Sequence, residues 1–435
     1  MSAADKHRRY LFPCAAPYYE SPLTLVRGEG MHLFDETGRK YLDCFGGVLT
    51  VSLGHCHPDV TAAIVEQVRT LVHTSTLYPN PPLSDLAEAL AQVLPGDLDR
   101  VFLSNSGTEA DETAVLLARL HTGNQEVVVL RYGYSGRSMM ALAASGQAPW
   151  RQIGAPAAGF VHALAPYCYR CPLKLTYPSC EVACAQDVDE VIQTATPGRV
   201  AALLAEVVIG SGGFIVPPRE YFSIVAERVR RAGGLFIADE VQTGWGRTGR
   251  MFGIEHYGVT PDIMTFAKGM ANGSPIGCTA TTTPIASTMK PLTFATFGGN
   301  PVSSAAALAT LRVIQKEKLC DNARVMGDRL HQGLRQLQRR YPVIGDVRGL
   351  GLMQGVELVK AGKEPDAASV TQVMEATRRR GLLIGKGGLW GNVLRIAPPL
   401  IAGASHIDEL LAGLDGAFAE LPGGGGGGRR SGAAS

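Results

Sequence analysis

Apolar stretches and amphipathic stretches alternate through the middle of the chain. The apolar stretches are rich in valine, leucine and isoleucine, which predicts buried strands; they are DRVFLSNSG, EVVVLRYG, RVAALLAEVV, LFIADE, DIMTFAKG and PIGCTATTT. Two other stretches, TEADETAVLLARLH and REYFSIVAERVRRAGG, have the spacing of a helix, and the second ends in a pair of glycines. Continuous apolar strands separated by helices predict an α/β fold with a mostly parallel sheet covered by helices on both faces.

The chain divides by pattern into four parts. Residues 70–318 contain the alternating strands and helices and are predicted to form one large domain. Residues 1–69 contain SPLTLVRGEGMHLFDETGRKYLDCFGG, which predicts a β-hairpin that turns at ETGRK, and residues 319–422 mix helices with the short strands GLMQGVELV and NVLRIAPP. Both flanks are expected to build a smaller domain. Residues 423–435 begin with six glycines and are predicted to be a disordered tail, because ordering glycine costs much backbone entropy.

Composition and charge exclude several kinds of partner. The 435 residues are 46% hydrophobic, which is enough for a large core, and the formal net charge of +2 without a basic stripe argues against nucleic acid. No apolar run approaches the roughly 18 to 20 residues that span a bilayer, so no membrane partner is expected. The N-terminus, MSAADKHRRYLF, has no apolar signal-peptide core. Nine cysteines, an odd number, suit a reducing compartment, and the predicted location is the cytoplasm.

Three chemically useful groups follow predicted strands, at the end of the sheet where functional loops gather. Lys268 follows DIMTFA, Asp239 ends the strand of LFIADE, and SNSGTEA joins a strand to a helix whose N-terminus suits a phosphate. Taken singly, these could be a surface lysine, a loop ion pair and an ordinary helix cap. Together, an amine, an acid and a phosphate cradle at one edge of a sheet indicate a site for pyridoxal phosphate.

These stretches are also where the chain resembles a known family, the class III (fold-type I, or ω) pyridoxal-phosphate-dependent aminotransferases. Five motifs occur in the family's order: YLDCFGGVLTVSLGHCHPDV, SNSGTEA, DEVQTGWGRTG, FAKGMANGSPIG and TFGGNP. The resemblance covers nearly the whole chain, from about Ser21 to Ala402. It implies a fold-type I architecture, with a mostly parallel seven-stranded sheet in the large domain and a smaller α+β domain built from both termini.

The resemblance implies a role for each residue around the cofactor. Lys268 matches the lysine that forms the Schiff base, and Asp239 matches the acid that pairs with the pyridinium nitrogen. Gln242 matches the glutamine near the ring hydroxyl, and Tyr134 matches the aromatic residue that stacks on the ring. The residues that match the phosphate loop are Ser106, Gly107 and Thr108. After Tyr134 the family often has a histidine, whereas this chain has Ser135, which cannot stack or titrate as an imidazole does.

The resemblance also implies how substrates and subunits are bound. Arg395, in LRIAPPL, matches the arginine that many members use for the substrate α-carboxylate, since a guanidinium forks onto both oxygens. Glu206 matches a glutamate of the cofactor site that pairs with this arginine in some members and frees it in others, although EVVIG here replaces the usual EPxQG. Arg137 matches an arginine for a distal carboxylate, but a surface arginine after a turn is the alternative. Thr296 matches a threonine that reaches the neighbouring subunit's phosphate, which implies a homodimer with shared active sites and leaves a tetramer open.

The implied activity is transamination with ping-pong kinetics. An amino acid or ω-amino donor would give its amino group to a 2-oxo acid, namely pyruvate, glyoxylate or 2-oxoglutarate, and Lys268 would move the proton with a lowered pKa. The same scaffold hosts dialkylglycine decarboxylases, amino-acid racemases and epimerases, and amino-alcohol-phosphate phospho-lyases, and all of these keep Lys268 and Asp239. A non-catalytic binding protein is a further alternative, which the retained lysine disfavours.

A separate segment, CYRCPLKLTYPSCEVAC, raises the question of a metal. Four thiolates can hold zinc or an iron–sulfur cluster, and the cysteines concerned are Cys168, Cys171, Cys180 and Cys184. The gap between the second and third is short, so a loop of reduced or partly paired thiols is the alternative. No catalytic role is expected for this segment. His55 and His57, in GHCHPD, are interpreted as structural loop residues, and the active site is expected to use no metal.

Overall fold

The computed structural model describes residues 1–154 and 157–422. Its strands are β1 (Leu25–Glu29), β2 (His32–Asp35), β3 (Lys40–Asp43), β4 (Arg100–Ser104), β5 (Val127–Leu130), β6 (Phe160–Ala163), β7 (Ala202–Glu206), β8 (Leu235–Asp239), β9 (Ile263–Phe266), β10 (Gly277–Thr281), β11 (Ile344–Leu350), β12 (Met353–Leu358), β13 (Leu382–Leu383), β14 (Gly385–Gly387) and β15 (Val393–Ile396). Its α-helices are α1 (Ala3–Tyr10), α2 (Gly46–Leu49), α3 (Pro58–Thr70), α4 (Pro81–Val93), α5 (Gly107–Thr122), α6 (Met139–Ala144), α7 (Ala183–Ala195), α8 (Tyr221–Arg231), α9 (Thr283–Ala286), α10 (Pro301–Lys316), α11 (Leu319–Arg340), α12 (Ala367–Arg379) and α13 (Ala404–Ala419). Short 3-10 segments are Cys168–Arg170, Gly253–Tyr257, Lys268–Ala271 and Ala361–Lys363.

Two points about the chain as a whole follow from these ranges. Within them, no helix is long and apolar enough to cross a membrane. The tail predicted to be disordered, residues 423–435, lies outside the described residues.

The central element is a seven-stranded sheet with the strand order β4-β10-β9-β8-β7-β5-β6. Strand β10 runs antiparallel to both of its neighbours, and the other neighbouring pairs are parallel. Every residue of β5, β7, β9 and β10 is buried, because helices cover both faces, and this explains why these strands are apolar throughout rather than alternating. The predicted mostly parallel sheet of seven strands is confirmed.

Both ends of the chain contribute to two further sheets, with the orders β1-β2-β3-β13 and β11-β12-β15-β14. Leu42 of β3 pairs in parallel with Leu382 of β13, so an N-terminal strand and a C-terminal strand share one sheet. The predicted hairpin is present as β2 and β3, and Asp35 fixes its turn by accepting the N–H groups of Thr37 and Arg39 at 2.9 and 3.0 Å. The smaller α+β part built from both termini is confirmed, whereas the predicted domain limits at residues 69 and 318 remain predictions.

A buried polar network joins the small domain to the large sheet. The carboxylate of Glu357, on β12, accepts hydrogen bonds from the Tyr167 hydroxyl and the Arg170 guanidinium, which follow β6. Arg348 of β11 also donates to it through Nη1, at 2.7 Å. Because a fully buried charge needs such partners, this network fixes β11 and β12 against the large domain.

Candidate active site

Strands β7, β8 and β9 end side by side at the carboxyl edge of the central sheet. Glu206 is the last residue of β7 and Asp239 is the last residue of β8, and the two are paired in register. Asp239 is in turn opposite Thr265 of β9, and Lys268 begins the 3-10 turn directly after that strand. The topology therefore brings an amine and two carboxylates to one edge of the sheet.

Lys268 has an unusual backbone conformation. Its φ of +43° lies in the left-handed region, which costs a non-glycine residue on the order of 1–3 kcal/mol and is concentrated at functional sites. The next residue, Gly269, leaves no room for a Cβ because the Ser52 hydroxyl would collide with it. Burial lowers the pKa of the Lys268 amine, while the Asp239 and Glu206 carboxylates oppose that shift. The amine is therefore closer to its neutral form at neutral pH than a surface lysine would be.

Asp239 is a buried acid with one nearby donor. Its Oδ1 accepts the N–H of Val241 at 2.9 Å, and its side chain is 5% exposed. Burial raises the pKa of Asp239, while that hydrogen bond and the charge of Lys268 lower it. A buried carboxylate of this kind is stabilised by a cation placed against its second oxygen. A protonated ring nitrogen fits that requirement.

The N-terminus of α5 forms an anion cradle. Ser106 caps the helix and its hydroxyl accepts the N–H of Glu109 at 3.3 Å. The N–H groups of the first turn have no partner within the helix, and the helix dipole is positive there. Gly136 lies so close to Thr108 that an added Cβ would collide with the Thr108 hydroxyl, and a Cβ at Gly107 would press on Val241 at 3.1 Å. Small residues thus keep the space in front of this turn open, which suits a phosphate.

Glu206 is held in place by hydrogen bonds from the loops that follow β5 and β7, and it contacts Gln242 in turn. Glu206 accepts the N–H of Tyr134 at 2.9 Å and the N–H of Gly210 at 2.8 Å, and Gln242 donates to it through Nε2 at 3.5 Å. A Cβ at Gly210 would collide with the Gln242 amide. The Oε1 atom of Gln242 is buried and has no hydrogen-bond partner within residues 1–154 and 157–422. It is therefore available to accept a hydrogen bond, for example from a ring hydroxyl. Burial, together with Asp239, raises the pKa of Glu206.

Arg395, on β15, is a buried cation beside this edge. Arg395 is 6% exposed, and its Nε donates a hydrogen bond to the Lys386 carbonyl at 2.9 Å. Burial lowers the pKa of the Arg395 guanidinium, an effect opposed by the neighbouring Tyr18 hydroxyl and by Glu206. The Nη1 atom is buried without a hydrogen-bond partner in the described part of the chain. The structure does not pair Glu206 with Arg395 in the ion pair that occurs in some family members, and both glutamate oxygens accept backbone N–H groups.

Three other predicted site residues are less enclosed. The Tyr134 ring is partly buried and meets the edge of Trp150, with ring centroids 5.1 Å apart. Arg137 is exposed and follows Gly136 near that ring. Thr296 is exposed in the loop between α9 and α10. Their roles at the cofactor, the substrate and the neighbouring subunit remain predictions.

Sequence reasoning missed the aromatic residues around Arg395. The Phe45 ring lies 4.9 Å from the Arg395 guanidinium carbon and the Phe214 ring lies 5.5 Å from it. Tyr18 stacks on Phe45, with centroids 6.3 Å apart and ring planes 26° apart. Phe45 stands in one of the family motifs and could have been noticed there. Phe214 and Tyr18 lie outside the motifs, and only the tertiary structure places them near the guanidinium.

A second buried acid behind Asp239 was also missed. Asp111, on α5, is 1% exposed and accepts a hydrogen bond from the Thr265 hydroxyl at 2.7 Å. Burial and the neighbouring Asp239 raise the pKa of Asp111. The helical period contained the necessary indication, because Asp111 shares its buried face with Ala114 and Val115 at spacings of three and four. An acid on the apolar stripe of a helix marks a buried polar site.

The residues described here fit pyridoxal phosphate in chemical kind. The α5 N-terminus suits the phosphate, the buried Asp239 suits a protonated ring nitrogen, and the free acceptor of Gln242 suits the ring hydroxyl. Lys268 supplies the amine that the aldehyde requires.

The cysteine segment lies elsewhere. All nine cysteines are free thiols, and in the described ranges no group of three or more His, Cys, Asp or Glu side chains is arranged to hold a metal ion. Burial raises the pKa of the Cys168 and Cys184 thiols, and neighbouring thiols raise it further by a smaller amount. Whether this segment holds a metal or remains a loop of reduced or partly paired thiols stays a prediction, which metal analysis of the purified protein would test.

Comparison with known proteins shows the family to which this chain belongs. The family described as aminotransferase class-III matches residues 14–418. A curated relative from Arabidopsis thaliana, named alanine–glyoxylate aminotransferase 2 homolog 2, mitochondrial, is 44% identical over 414 residues, covering 94% of this chain and 86% of the relative.

Two solved structures are similar over nearly the whole chain. An amine transaminase from an uncultivated Pseudomonas species, solved in its PLP-bound form, superposes with a TM-score of 0.89 at 34% identity, covering 94% of this chain and 98% of the other. A phospholyase from Arthrobacter, in complex with phosphoethanolamine, superposes with a TM-score of 0.89 at 35% identity, covering 96% and 99%. The fold, the site and these matches agree: the chain belongs to the class-III aminotransferases, and it is a pyridoxal-phosphate-dependent transaminase of fold type I that passes an amino group to a 2-oxo acid.

Proposed function

We propose that this transaminase takes its amino group from a donor that carries an α-carboxylate, such as alanine, and passes it to glyoxylate or pyruvate. The observation that carries the proposal is the buried Arg395, whose Nη1 has no hydrogen-bond partner in the described residues. Leaving such a donor unpaired is costly, and an α-carboxylate would satisfy it. Because the amino acid and the 2-oxo acid both carry this group, one arginine can serve both halves of the reaction. The name of the Arabidopsis relative includes alanine and glyoxylate, which supports this choice.

The proposed cofactor contacts come from the carboxyl edge of the sheet. Asp239 would hold a proton on the ring nitrogen, Gln242 would meet the ring hydroxyl, and Tyr134 would cover a face of the ring. Glu206 would act by orienting Gln242 through its hydrogen bond. The phosphate would be bound at the start of α5 by Ser106, Gly107 and Thr108.

Lys268 is the proposed proton carrier. Pyridoxal phosphate, when bound, supplies an aldehyde that accepts the amino group and a ring that spreads the charge developing on the substrate carbon. The Lys268 amine would take a proton from that carbon and deliver it to the former aldehyde carbon, on the other side of the transferred nitrogen. Burial, which lowers the pKa of this amine, keeps it able to accept a proton near neutral pH. Asp239 contributes by remaining ionised against the protonated ring nitrogen.

Assembly and location are further parts of the proposal. The exposed Thr296 would reach the phosphate of a neighbouring subunit, which gives a homodimer with shared active sites. The exposed Arg137 would bind a second carboxylate on longer donors. The free thiols support the predicted cytoplasmic location; since the Arabidopsis relative is named as mitochondrial, cell fractionation is the measurement that decides.

A panel of donors crossed with pyruvate, glyoxylate and 2-oxoglutarate tests the proposed activity. Alanine and glyoxylate are expected to give pyruvate and glycine in equal amounts, with the parallel double-reciprocal plots of a ping-pong reaction. Chromatographic analysis of the products measures both. Loss of carbon dioxide, racemised alanine without transfer, or no net movement of nitrogen would contradict the proposal.

A phospho-lyase is the second candidate, because the Arthrobacter phospholyase is 35% identical and covers almost the whole chain. Phosphoethanolamine carries its anion further from the amino group than an amino acid does, because its phosphate is attached through a second carbon and an oxygen; Arg395 would therefore have to meet the phosphate at a greater distance from the amino-bearing carbon. Incubation with phosphoethanolamine separates the two functions. Release of inorganic phosphate and ammonia without a 2-oxo acid would favour the lyase.

A further inference from the structure

We infer that Arg395 is a fixed anchor for the substrate carboxylate, clamped by the aromatic residues Phe45 and Phe214, and that the enzyme therefore rejects amine donors that lack this carboxylate. The inference rests on the proposed function, in which Arg395 binds the α-carboxylate. It goes beyond that proposal because an arginine that could swing away would allow plain amines into the site. The structure assigns Phe45 and Phe214 as positioning residues for this choice.

The guanidinium is restrained on several sides. Its carbon lies 4.9 Å from the Phe45 ring and 5.5 Å from the Phe214 ring, which are cation–π distances. Its Nε donates to the Lys386 carbonyl at 2.9 Å. Gly387 closes around the side chain, since an added Cβ there would lie 2.9 Å from the Arg395 Cδ and Nε atoms. Moving the guanidinium would break all of these contacts at once.

The rings that restrain it are themselves held firmly. Phe214 is completely buried and has a φ of +54°, a left-handed conformation that is strained for an aromatic residue and must be imposed by its surroundings. Its loop closes through paired hydrogen bonds between Ile209 and Ile215 at 3.0 and 3.1 Å. Phe45 is 7% exposed, and its ring fills the space where a side chain on Gly385 would lie.

This loop also bridges the two domains next to the arginine. The Ser211 carbonyl accepts the N–H of Gly388 at 2.9 Å, and the Gly213 carbonyl accepts Arg348 Nε at 3.0 Å. The strand pair β14–β15, which carries Arg395, is thus tied to the loop that carries Phe214. A displacement of the guanidinium would have to disturb contacts in both domains.

The carboxylate to which the arginine could move, Glu206, already accepts hydrogen bonds on both oxygens. Both oxygens of Glu206 accept backbone N–H groups, from Tyr134 at 2.9 Å and from Gly210 at 2.8 Å, and Gln242 approaches the second oxygen. An ion pair with Arg395 would compete with these hydrogen bonds. Moving the guanidinium therefore breaks its present contacts, and the carboxylate it would reach is already partly stabilised by other donors.

A matched pair of donors tests the inference on the holoenzyme. L-Alanine and isopropylamine differ only by a carboxylate in place of a methyl group. With a fixed arginine, kcat/KM with glyoxylate as acceptor is expected to favour alanine by about 10⁴-fold, as in other sites built to bond one polar group. If kcat/KM for alanine and kcat/KM for isopropylamine differ by less than about tenfold, the inference is overturned, because the arginine then does not select for the carboxylate.

Two ring deletions test the clamp. Phe214→Leu and Phe45→Leu are each expected to narrow the alanine-to-isopropylamine ratio by about tenfold, the effect of losing one cation–π contact, and to act mainly through KM for alanine rather than kcat. Phe45→Tyr keeps a ring at the same place and is expected to restore the ratio. Phe222→Leu, a fully buried phenylalanine on α8, is the control and is expected to leave the ratio unchanged. An unchanged ratio in both Leu variants would overturn the clamp.

Two further measurements cover the remaining outcomes. If the Leu variants do not fold, a crystal structure of the wild-type holoenzyme with isopropylamine decides, because a guanidinium that has left Phe45 and Phe214 would overturn the inference and an unmoved one would support it. Arg395→Leu tests the underlying proposal separately. If KM for alanine does not change in that variant, the proposed carboxylate site itself fails; if KM rises while the wild-type enzyme still accepts isopropylamine, only the fixed anchor fails.

Discussion

The side chain of Lys268 combines two properties that rarely occur together: a partly buried amine with a lowered pKa and a left-handed backbone. Two carboxylates face it, Asp239 and Glu206, so burial and nearby charge act in opposite directions on its protonation. At the scale of single residues, this balance is what a proton carrier requires.

Lys268→Ala is expected to reduce kcat by at least about 10²- to 10⁴-fold, the usual contribution of one general acid–base group. Mass spectrometry of the borohydride-treated holoenzyme would show the cofactor attached to the wild-type peptide containing Lys268 and absent from the variant. Lys290→Ala, at the end of the segment after α9, is the matched control and is expected to keep full activity. Normal turnover by the Lys268→Ala protein would contradict the mechanism.

Sequence motifs are informative for residues whose role depends on local chain geometry. Asp239 ends a strand and Lys268 begins the 3-10 turn after the next one, so the local sequence was sufficient to predict both as candidate site residues. Phe214 could not be identified in this way, because its contact with Arg395 joins two segments that are distant in sequence. A contact between two distant segments does not change the pattern of hydrophobic and polar residues in either of them.

At the scale of elements, the strands were predictable because burial on both faces makes each one apolar throughout. The direction of β10 was not predictable. Its sequence, GCTAT, is buried throughout like the parallel strands of the same sheet, and the reversal depends on the turn after Lys268 and on pairing with β4. Pairing partners are set by tertiary contacts. The presence of a strand is therefore easier to predict from sequence than its position in the sheet.

Glu240, directly after β8, connects the catalytic strand to the 3-10 segment Gly253–Tyr257. It accepts the N–H groups of Gly253 and Ile254 at 2.9 and 2.7 Å. Glu240→Gln places an amide against these donors and is expected to lower the free energy of unfolding by about 1–3 kcal/mol. Urea unfolding followed by tryptophan fluorescence measures this, and the exposed Glu227→Gln is the control.

The same variant has an expected pH dependence. Burial raises the pKa of Glu240 from 4.5 to about 7, although its hydrogen bonds to Thr243, Ile254 and Gly253 lower it. The folded state therefore binds a proton that the unfolded state releases between these two values. This contribution to stability is fully present below pH 4.5 and is lost as the pH rises through about 7. The wild-type protein should therefore exceed Glu240→Gln in free energy of unfolding by less as the pH rises over that range. An increase in this difference would contradict the assignment.

At the scale of the whole molecule, the loop around Thr296 exposes large apolar side chains. Leu292 is 82% exposed and Phe297 is 60% exposed, and Phe297 contacts the ring of His73 from the segment after α3. Exposed apolar residues grouped in this way indicate an interaction surface. Their position next to Thr296 supports a dimer whose interface adjoins both active sites.

Phe297→Asp is expected to convert the proposed dimer to a monomer, because a charge would be buried against the partner. Light scattering coupled to size exclusion measures the mass, and an absorbance titration with pyridoxal phosphate measures the accompanying loss of affinity. Val325→Asp changes an apolar residue of α11 that is also exposed and is expected to do neither. A wild-type chain that is monomeric with full activity would contradict the shared site.

The pattern of the chain and the family resemblance both predict that the two termini build one small domain, but neither predicts which strands pair in it. The local sequence of the hairpin is sufficient to predict β2 and β3. It does not indicate that β13 lies beside β3. Burial of apolar faces requires a partner without specifying which one. The same holds for Glu357, whose partners Tyr167 and Arg170 come from the large domain.

The pairing of Leu42 with Leu382 has a consequence for biosynthesis. A ribosome makes β3 early and β13 near the end, so the N-terminal hairpin emerges long before its neighbour exists. During translation its open edge is exposed while the large domain is already able to fold. Chaperones that shield nascent strands should therefore affect the yield of this enzyme more than its final stability.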